Sequence, residues 1–155
     1  MTTRRLDLDA IMAVMDAAFD PAFGEAWSLR QLTGAMAMPG TSCLTIDETG
    51  RIDGDGPPVG FALSRRVADE EAELLLLAVA PEWRGRGLGR QLVATLLERC
   101  RKSGIETVFL EMREDNPAHR FYAGLGFSNV GRRPNYYRGR DGVVRDAITC
   151  AMEIK

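Results

Sequence analysis

The stretch LAVAPEWRGRGLGRQLVATLL, residues 77–97, decides how this chain is read. An apolar run stops at Pro81, glycines follow at 85, 87 and 89, and a helical pattern begins at once. The run is apolar at every position after Glu73 as far as Val79, which predicts a central strand covered on both faces. Leu88, Leu92, Val93, Leu96 and Leu97 then share one helical face, and Ser103 and Gly104 close the helix near Lys102. Strand, glycine turn, helix is a construction for holding an anion. The first amides of a helix lack internal partners and carry partial positive charge, and glycine lets a phosphate approach the backbone. Arg84, Arg86 and Arg90 add three cations where they oppose the helix dipole, which predicts an anionic guest. The spacing fits neither the GxxxxGK[ST] nucleotide loop nor the GxGxxG dinucleotide fingerprint, because the glycines fall as GxGxG. A basic surface turn over a core helix is the competing reading.

Outward from this stretch, Ile11, Met12, Val14, Met15, Ala18 and Phe19 predict an amphipathic helix over residues 9–19. Ser28 is placed to cap a second helix through Met36, with Leu29 and Leu32 on its apolar side. SCLTID (42–47) and VGFALSRRV (59–67) read as strands on either side of the turn-rich insert ETGRIDGDGPP. Downstream, TVFLEM (107–112) reads as a buried strand, followed by a short helix from Pro117 to about Ala123, closed by Gly124 and Gly126. Residues 129–137 and 144–153 form two strands joined by RGRDG. A faint strand signal lies at residues 4–8. The order predicts one mixed α/β domain over residues 1–155 with a single sheet.

A formal net charge of -2 argues against broad nucleic-acid binding. No apolar run approaches the ~20 residues that span a bilayer, and the N-terminus lacks a secretory h-region, so a cytoplasmic protein is expected, with no membrane partner. Cys43, Cys100 and Cys150 are far apart and form no CxxC pair, which predicts reduced structural thiols and no metal.

Arg84 to Gly89, RGRGLG, also fits R/Q-x-x-G-x-G/A, and here the chain resembles the GNAT acetyltransferase superfamily, whose coenzyme-A pyrophosphate loop has this pattern. LLLLAVAP resembles the family's central strand, and FLEMREDNPAHRFYAGLGF (109–127) resembles its segment ending in Y-x-x-L-G-F. GRRPNYYRGRDGVVRDAI (131–148) and GEAWS (24–28) are similar to the hairpin and acceptor loop of one branch, the RimI-type N-terminal acetyltransferases of ribosomal proteins. The resemblance covers roughly residues 70–148 well and the earlier part loosely. It implies a GNAT fold and an acetyl-CoA-dependent N-acetyltransferase without a metal. Arg84, Gly85, Arg86, Gly87, Leu88, Gly89 and Arg90 would bind the pyrophosphate, and Leu77, Ala78 and Val79 would pair with the pantetheine arm. Glu111 would be the general base, Tyr122 the general acid and Asn116 a cofactor contact. From Glu111 to Tyr122 the chain is one residue shorter than the branch pattern, so Asp115 or Asn116 can take that polar role. Trp27, Tyr136 and Tyr137 are candidates to flank the acceptor groove, although core or rim packing accounts for each equally well.

The chemistry bears on the acceptor. An α-amine has a pKa of roughly 7.7–8.0 and a lysine ~10.4, a difference of about 3–4 kcal/mol in reaching the neutral nucleophile. One carboxylate suffices more readily for an α-amine, which favours a protein N-terminus over lysine; a small-molecule amine, or a silent acyl-CoA-binding module, are the alternatives. Glu111 ends the apolar run of residues 108–110, and the bland alternative pairs it with Arg113 in solvent. Tyr122 either packs on Phe127 or acts on the leaving sulfur; a phenol at ~10 is a weaker acid than a thiol at ~8.5, so a hydrogen bond to developing charge is its larger contribution. The only histidine, His119, is expected on an exposed helix face, so direct attack is simpler than a covalent acetyl-enzyme.

Overall fold

The computed structural model describes residues 6–155. Residues 4 and 5 of the faint strand signal lie outside the described residues, and Leu8 opens a helix instead. That helix, α1 (Leu8–Ala18), is capped by Asp7, whose carboxylate accepts from the Ala10 amide, and it buries Ile11, Val14 and Met15. In α2 (Leu29–Ala37), Ser28 and Gln31 form a reciprocal capping box. Leu32 and Ala35 make its inner stripe, whereas Leu29 in the first turn stays largely exposed.

Six strands follow: β1 (Thr41–Asp47), β2 (Pro58–Ala68), β3 (Glu71–Val79), β4 (Thr107–Arg113), β5 (Ser128–Arg138) and β6 (Val144–Glu153). They form one sheet in the order β1-β2-β3-β4-β6-β5, antiparallel except for β3 with β4. The parallel pair needs a crossover, and α3 (Leu88–Lys102) supplies it. α4 (His119–Leu125) follows β4. It starts two residues later than Pro117, because Asn116 first makes a tight turn, its side-chain oxygen accepting from the Ala118 amide at 2.9 Å. Gly124 lies inside the helix, and Gly126 closes it.

Two cores sandwich the sheet. Ile11, Met15 and Leu32 pack on Phe61, Leu63, Leu76 and Ala78 on one face. Leu92, Val93 and Leu96 pack on Ala62, Leu74, Val108 and Leu110 on the other. β3 serves both faces through a bulge. Leu63 pairs with Leu76 and Ser64 with Leu74, which leaves Leu75 as an extra residue. Ala72 and Leu74 therefore face α3, while Leu76 and Ala78 face α1 and α2. The continuous leucine run is what lets the strand change face without exposing a polar side chain.

The bulge marks a second break. β3 and β4 pair only at residues 71–73 with 107–109. Beyond Glu73 the strands diverge, and residues 74–79 and 110–113 become the two walls of a wedge.

Candidate active site

The wedge opens into a cleft of about 930 Å³ that also takes in the glycine turn, the loop between α1 and α2, and the start of α4. The end at the glycine turn is made of backbone. A short 3₁₀ turn, Pro81–Trp83, leads into Gly85 and Gly87, with φ of 76° and 82°. The first α3 hydrogen bond joins the Gln91 amide to the Gly87 carbonyl at 3.0 Å, and no side chain caps this helix. The amides of Leu88, Gly89 and Arg90 thus have no acceptor within the helix, and all three residues line the cleft with Gly85 and Gly87. A Cβ at Gly87 would meet no atom within 4 Å, so backbone conformation rather than crowding selects glycine there. Gly60 on β2 is the opposite case: a Cβ would sit 2.9 Å from the Ala78 carbonyl, in the wall strand itself.

The three arginines have different fates. Arg84 donates to the Val79 carbonyl at 3.0 Å and to the Ala18 carbonyl at 2.8 Å, bracing the end of β3 against the end of α1. Arg86 lies 4.5 Å over the Trp83 ring and does not line the cleft. Arg90 lines it. Arg84 also lines the cleft, so of the three arginines, Arg84 and Arg90 border it, the Arg84 guanidinium engaged with carbonyls and that of Arg86 with an indole.

Leu77, Ala78 and Val79 line the β3 wall, and Asn116 lines the cleft near α4. Asp115 is drawn off instead into ion pairs with Arg113 and Arg145. Tyr122 on α4 is buried, edge-on to Phe121 at 5.1 Å and to Phe127 at 5.6 Å, and it also lines the cleft. Burial, then the nearby Cys150, pushes its phenol far above the usual range. Packing on Phe127 and facing the cleft are thus compatible. His119 is half-buried, not exposed, with Nε2 3.3 Å from the Arg113 carbonyl, and it does not line the cleft.

The opposite end of the cleft is made of charged side chains. Glu111, its side chain 16% exposed, pairs with Arg133 Nη2 at 3.0 Å rather than with Arg113. Arg113 is buried, ion-paired with Glu25 and Asp115 and lying 3.6 Å over the Phe23 ring. Arg145 continues the network to Asp115 at 2.8 Å and Asp141 at 3.1 Å. The arginines thereby tie the loop carrying Phe23 and Glu25 to the ends of β4 and β6. Burial nevertheless holds the Glu25 carboxyl above its ordinary value against the pull of Arg113. No local motif signals this network, because Glu25 and Arg113 lie 88 residues apart.

Trp27 and Tyr137 line the same end, whereas Tyr136 does not; it is 53% exposed and edge-on to Tyr137 at 5.1 Å. The reason is a bulge in β5. Arg133 pairs with Ala147 and Tyr137 with Arg145, so two extra residues loop out around Asn135, whose φ is 56°. Asp146 pins the bulge, accepting from the Asn135 amide at 2.9 Å and pairing with Arg132. Tyr137 is pushed up to about 12, first by burial and then by Glu25 and Glu111.

Among the described residues no group of His, Cys, Asp and Glu is placed to hold a metal ion, and no helix is long and apolar enough to cross a membrane. Cys43, Cys100 and Cys150 form no disulfide, and none lines the cleft.

Residues 8–127 match the family described as acetyltransferase (GNAT). The chain belongs to this family. The GNAT relatives include the [ribosomal protein bS18]-alanine N-acetyltransferase of Haemophilus influenzae, 37% identical over 93 residues, 60% of this chain and 63% of that protein. The protein of that name from Escherichia coli K12 is 40% identical over 101 residues, 64% of this chain and 67% of its own length. The alignments thus reach about two thirds of these relatives. In three dimensions, the crystal structure of the ribosomal-protein-S18-alanine N-acetyltransferase from Escherichia coli superposes with a TM-score of 0.82 at 31% identity, covering 100% of this chain and 92% of that one. The mixed six-stranded sheet with four helices is the GNAT fold.

Proposed function

We propose that this GNAT protein transfers an acetyl group from acetyl-CoA to the N-terminal α-amine of a protein, of the ribosomal-protein type that its relatives' names describe. One observation carries the reading. A single cleft joins the uncapped start of α3, the unpaired edge of β3, Glu111 and Tyr122. The turn fits a diphosphate on its own chemistry: left-handed Gly85 and Gly87 leave open space where a side chain would stand, and the uncapped helix-start residues line the cleft, with Arg84 and Arg90 alongside. Gly85, Gly87, Leu88, Gly89 and Arg90 would hold the diphosphate, and residues 77–79 and Asn116 the pantetheine arm.

Acetyl-CoA supplies the activated acetyl thioester. The chain's own groups manage the protons. Glu111, a carboxylate at the acceptor end, takes the proton that an ammonium must lose to become a nucleophile. Tyr122 keeps its proton at the hydroxyl throughout the working pH range and offers a hydrogen bond to charge developing on the departing sulfur. Direct attack follows, since no cysteine or histidine lines the cleft to carry the acetyl group. An α-amine, needing about 3–4 kcal/mol less than lysine to be neutral, suits this single carboxylate.

Glu111→Gln should lower turnover by on the order of 100-fold or more while leaving acetyl-CoA affinity unchanged. Wild-type turnover in that variant at neutral pH would refute the base. A peptide panel with free and blocked N-termini, run beside polyamines and amino sugars, tests the acceptor class. Equal acetylation of blocked lysine peptides, or turnover confined to small amines, would overturn the N-terminal reading.

A further inference from the structure

The hairpin of β5 and β6 brings Tyr137 to the cleft by carrying surplus residues. Arg133 pairs with Ala147 and Tyr137 with Arg145, so residues 134–136 stand opposite Asp146 alone. In an even ladder Asn135 would face Arg145, and Tyr137 would lie opposite Val143, about 7 Å further along the strand. The surplus is absorbed at Asn135, whose φ of 56° is one of two positive values outside glycine among the described residues. Pro134 followed by Asn135 is the residue order of a turn with a left-handed second position. Asp146 uses both carboxylate oxygens to hold this turn. One accepts from the Asn135 amide at 2.9 Å and the other from Arg132 at 2.5 Å. Arg132 also donates to one oxygen of Glu114 at 3.1 Å, and the other oxygen of Glu114 accepts from the Asp146 amide at 3.2 Å. The turn is thereby fastened both to β6 and to the residue that follows β4.

We propose that Asn135 and Asp146 are positioning residues for the acceptor: resting on the placement of the acceptor at this end of the cleft, as above, their lock seats Tyr137 where it meets the incoming chain. Tyr137 lines the cleft with Trp27 and Glu25, while Tyr136, within the surplus, stays outside it. The register partner of Tyr137, Arg145, shares its face of the sheet. The Arg145 side chain is 13% exposed and lies 5.2 Å over the ring of Phe23, in the loop between α1 and α2. The carboxylates of Glu25 and Glu111 both act on the Tyr137 phenol. A ring held there gives the acceptor an apolar wall and a neutral hydroxyl for one hydrogen bond. Neither Asn135 nor Asp146 lines the cleft, so both act through Tyr137.

The test is steady-state acetylation of a peptide with a free N-terminus by the full chain, with CoA affinity from titration calorimetry as the control for folding. Asn135→Val forces a β-branched residue to φ 56° and should raise the acceptor KM by about two- to tenfold, the worth of one aligned hydrogen bond. Asp146→Ala, which releases the turn without straining it, should do the same. Both should change kcat less than KM and leave the CoA dissociation constant where it is. Asn135→Gly accepts a left-handed backbone, and Asp146→Asn keeps an oxygen for the Asn135 amide, so each should recover most of the loss. Tyr137→Ala should raise the acceptor KM by itself, and Asn135→Val should add little in that background. An acceptor KM unmoved in Asn135→Val and Asp146→Ala, or an undiminished effect in the Tyr137→Ala background, would overturn the lock while Glu111→Gln remained inactive. An acceptor KM unmoved by Tyr137→Ala as well would remove the placement of the acceptor itself, and the lock with it.

Discussion

The two ends of the cleft are built from different materials. The donor end is backbone: glycines in the left-handed region, helix-start amides and an unpaired strand edge, all within residues 74–90. The acceptor end is side-chain charge gathered from a loop, β4, β5 and β6, and held by ion pairs such as Arg113 with Glu25 and Arg133 with Glu111. The helices show the same contrast. α1 and α2 satisfy their first amides with Asp7 and Ser28, while α3 begins at Gly87 with no side-chain cap. An end made of backbone suits a guest that never varies, and an end made of charged side chains suits one whose selection can be retuned residue by residue.

The strongest way to break this contrast is at Gly87. Gly87→Val places a β-branched residue at φ 82°. The strain is about 1–2 kcal/mol or somewhat more, and the new side chain meets no atom within 4 Å of its Cβ, so the domain should fold with a lowered melting temperature. On the proposed reading, it adds bulk at the turn whose bare backbone would receive the diphosphate. CoA binding measured by titration calorimetry should weaken on the order of 100-fold or more. Unchanged CoA affinity in a folded variant would show that the donor end does not work through its backbone.

How much was legible in the sequence follows from the same division. The donor end was readable because its parts are contiguous, and glycines at alternate positions after an apolar run serve few purposes besides a bare, tightly turned backbone. The element order was equally plain from periodicity and turn residues. The face switch in β3 was hidden, since every residue of the run is apolar and a bulge at Leu75 leaves no mark in an all-apolar pattern. Tyr136 and Tyr137 could not be told apart for a related reason: neighbouring strand residues face opposite ways, and the β5 bulge sets which one turns inward. Arg113 lay beyond reach because its partner Glu25 sits in a loop that only the fold brings near.

That buried arginine offers the next test. Arg113→Met removes a side chain 7% exposed and leaves Glu25 and Asp115 without it. Breaking a fully buried pair costs about 3–5 kcal/mol; here about 1–3 kcal/mol is expected, because both carboxylates retain some access to water. Denaturant unfolding measures this loss. The acceptor KM should rise severalfold as the loop carrying Phe23 and Glu25 loosens, with the CoA dissociation constant unchanged. If both constants rose together, the two ends would be one mechanical unit and the division above would fail.

The smallest expected effect sharpens the acceptor end alone. Tyr137 ionises at about 12 in the folded protein against an ordinary 10.0, held neutral first by burial and then by Glu25 and Glu111. A raised folded pKa contributes stability that is complete below the unfolded value. The contribution drains away as pH climbs from 10 towards 12, because the unfolded chain gives up the proton first. Tyr137→Phe removes this dependence, so its unfolding free energy between about pH 10 and 12 should fall less steeply than that of the wild type. The difference will be modest, since Tyr137 is only half-buried and solvent screens the two carboxylates. Glu111→Gln combined with Tyr137→Phe should give the same slope as Tyr137→Phe alone, because the phenol that senses Glu111 is already gone. Parallel slopes for wild type and Tyr137→Phe would mean that Tyr137 does not share the field of the acidic groups, and that the acceptor end is less electrostatically coupled than its ion pairs suggest.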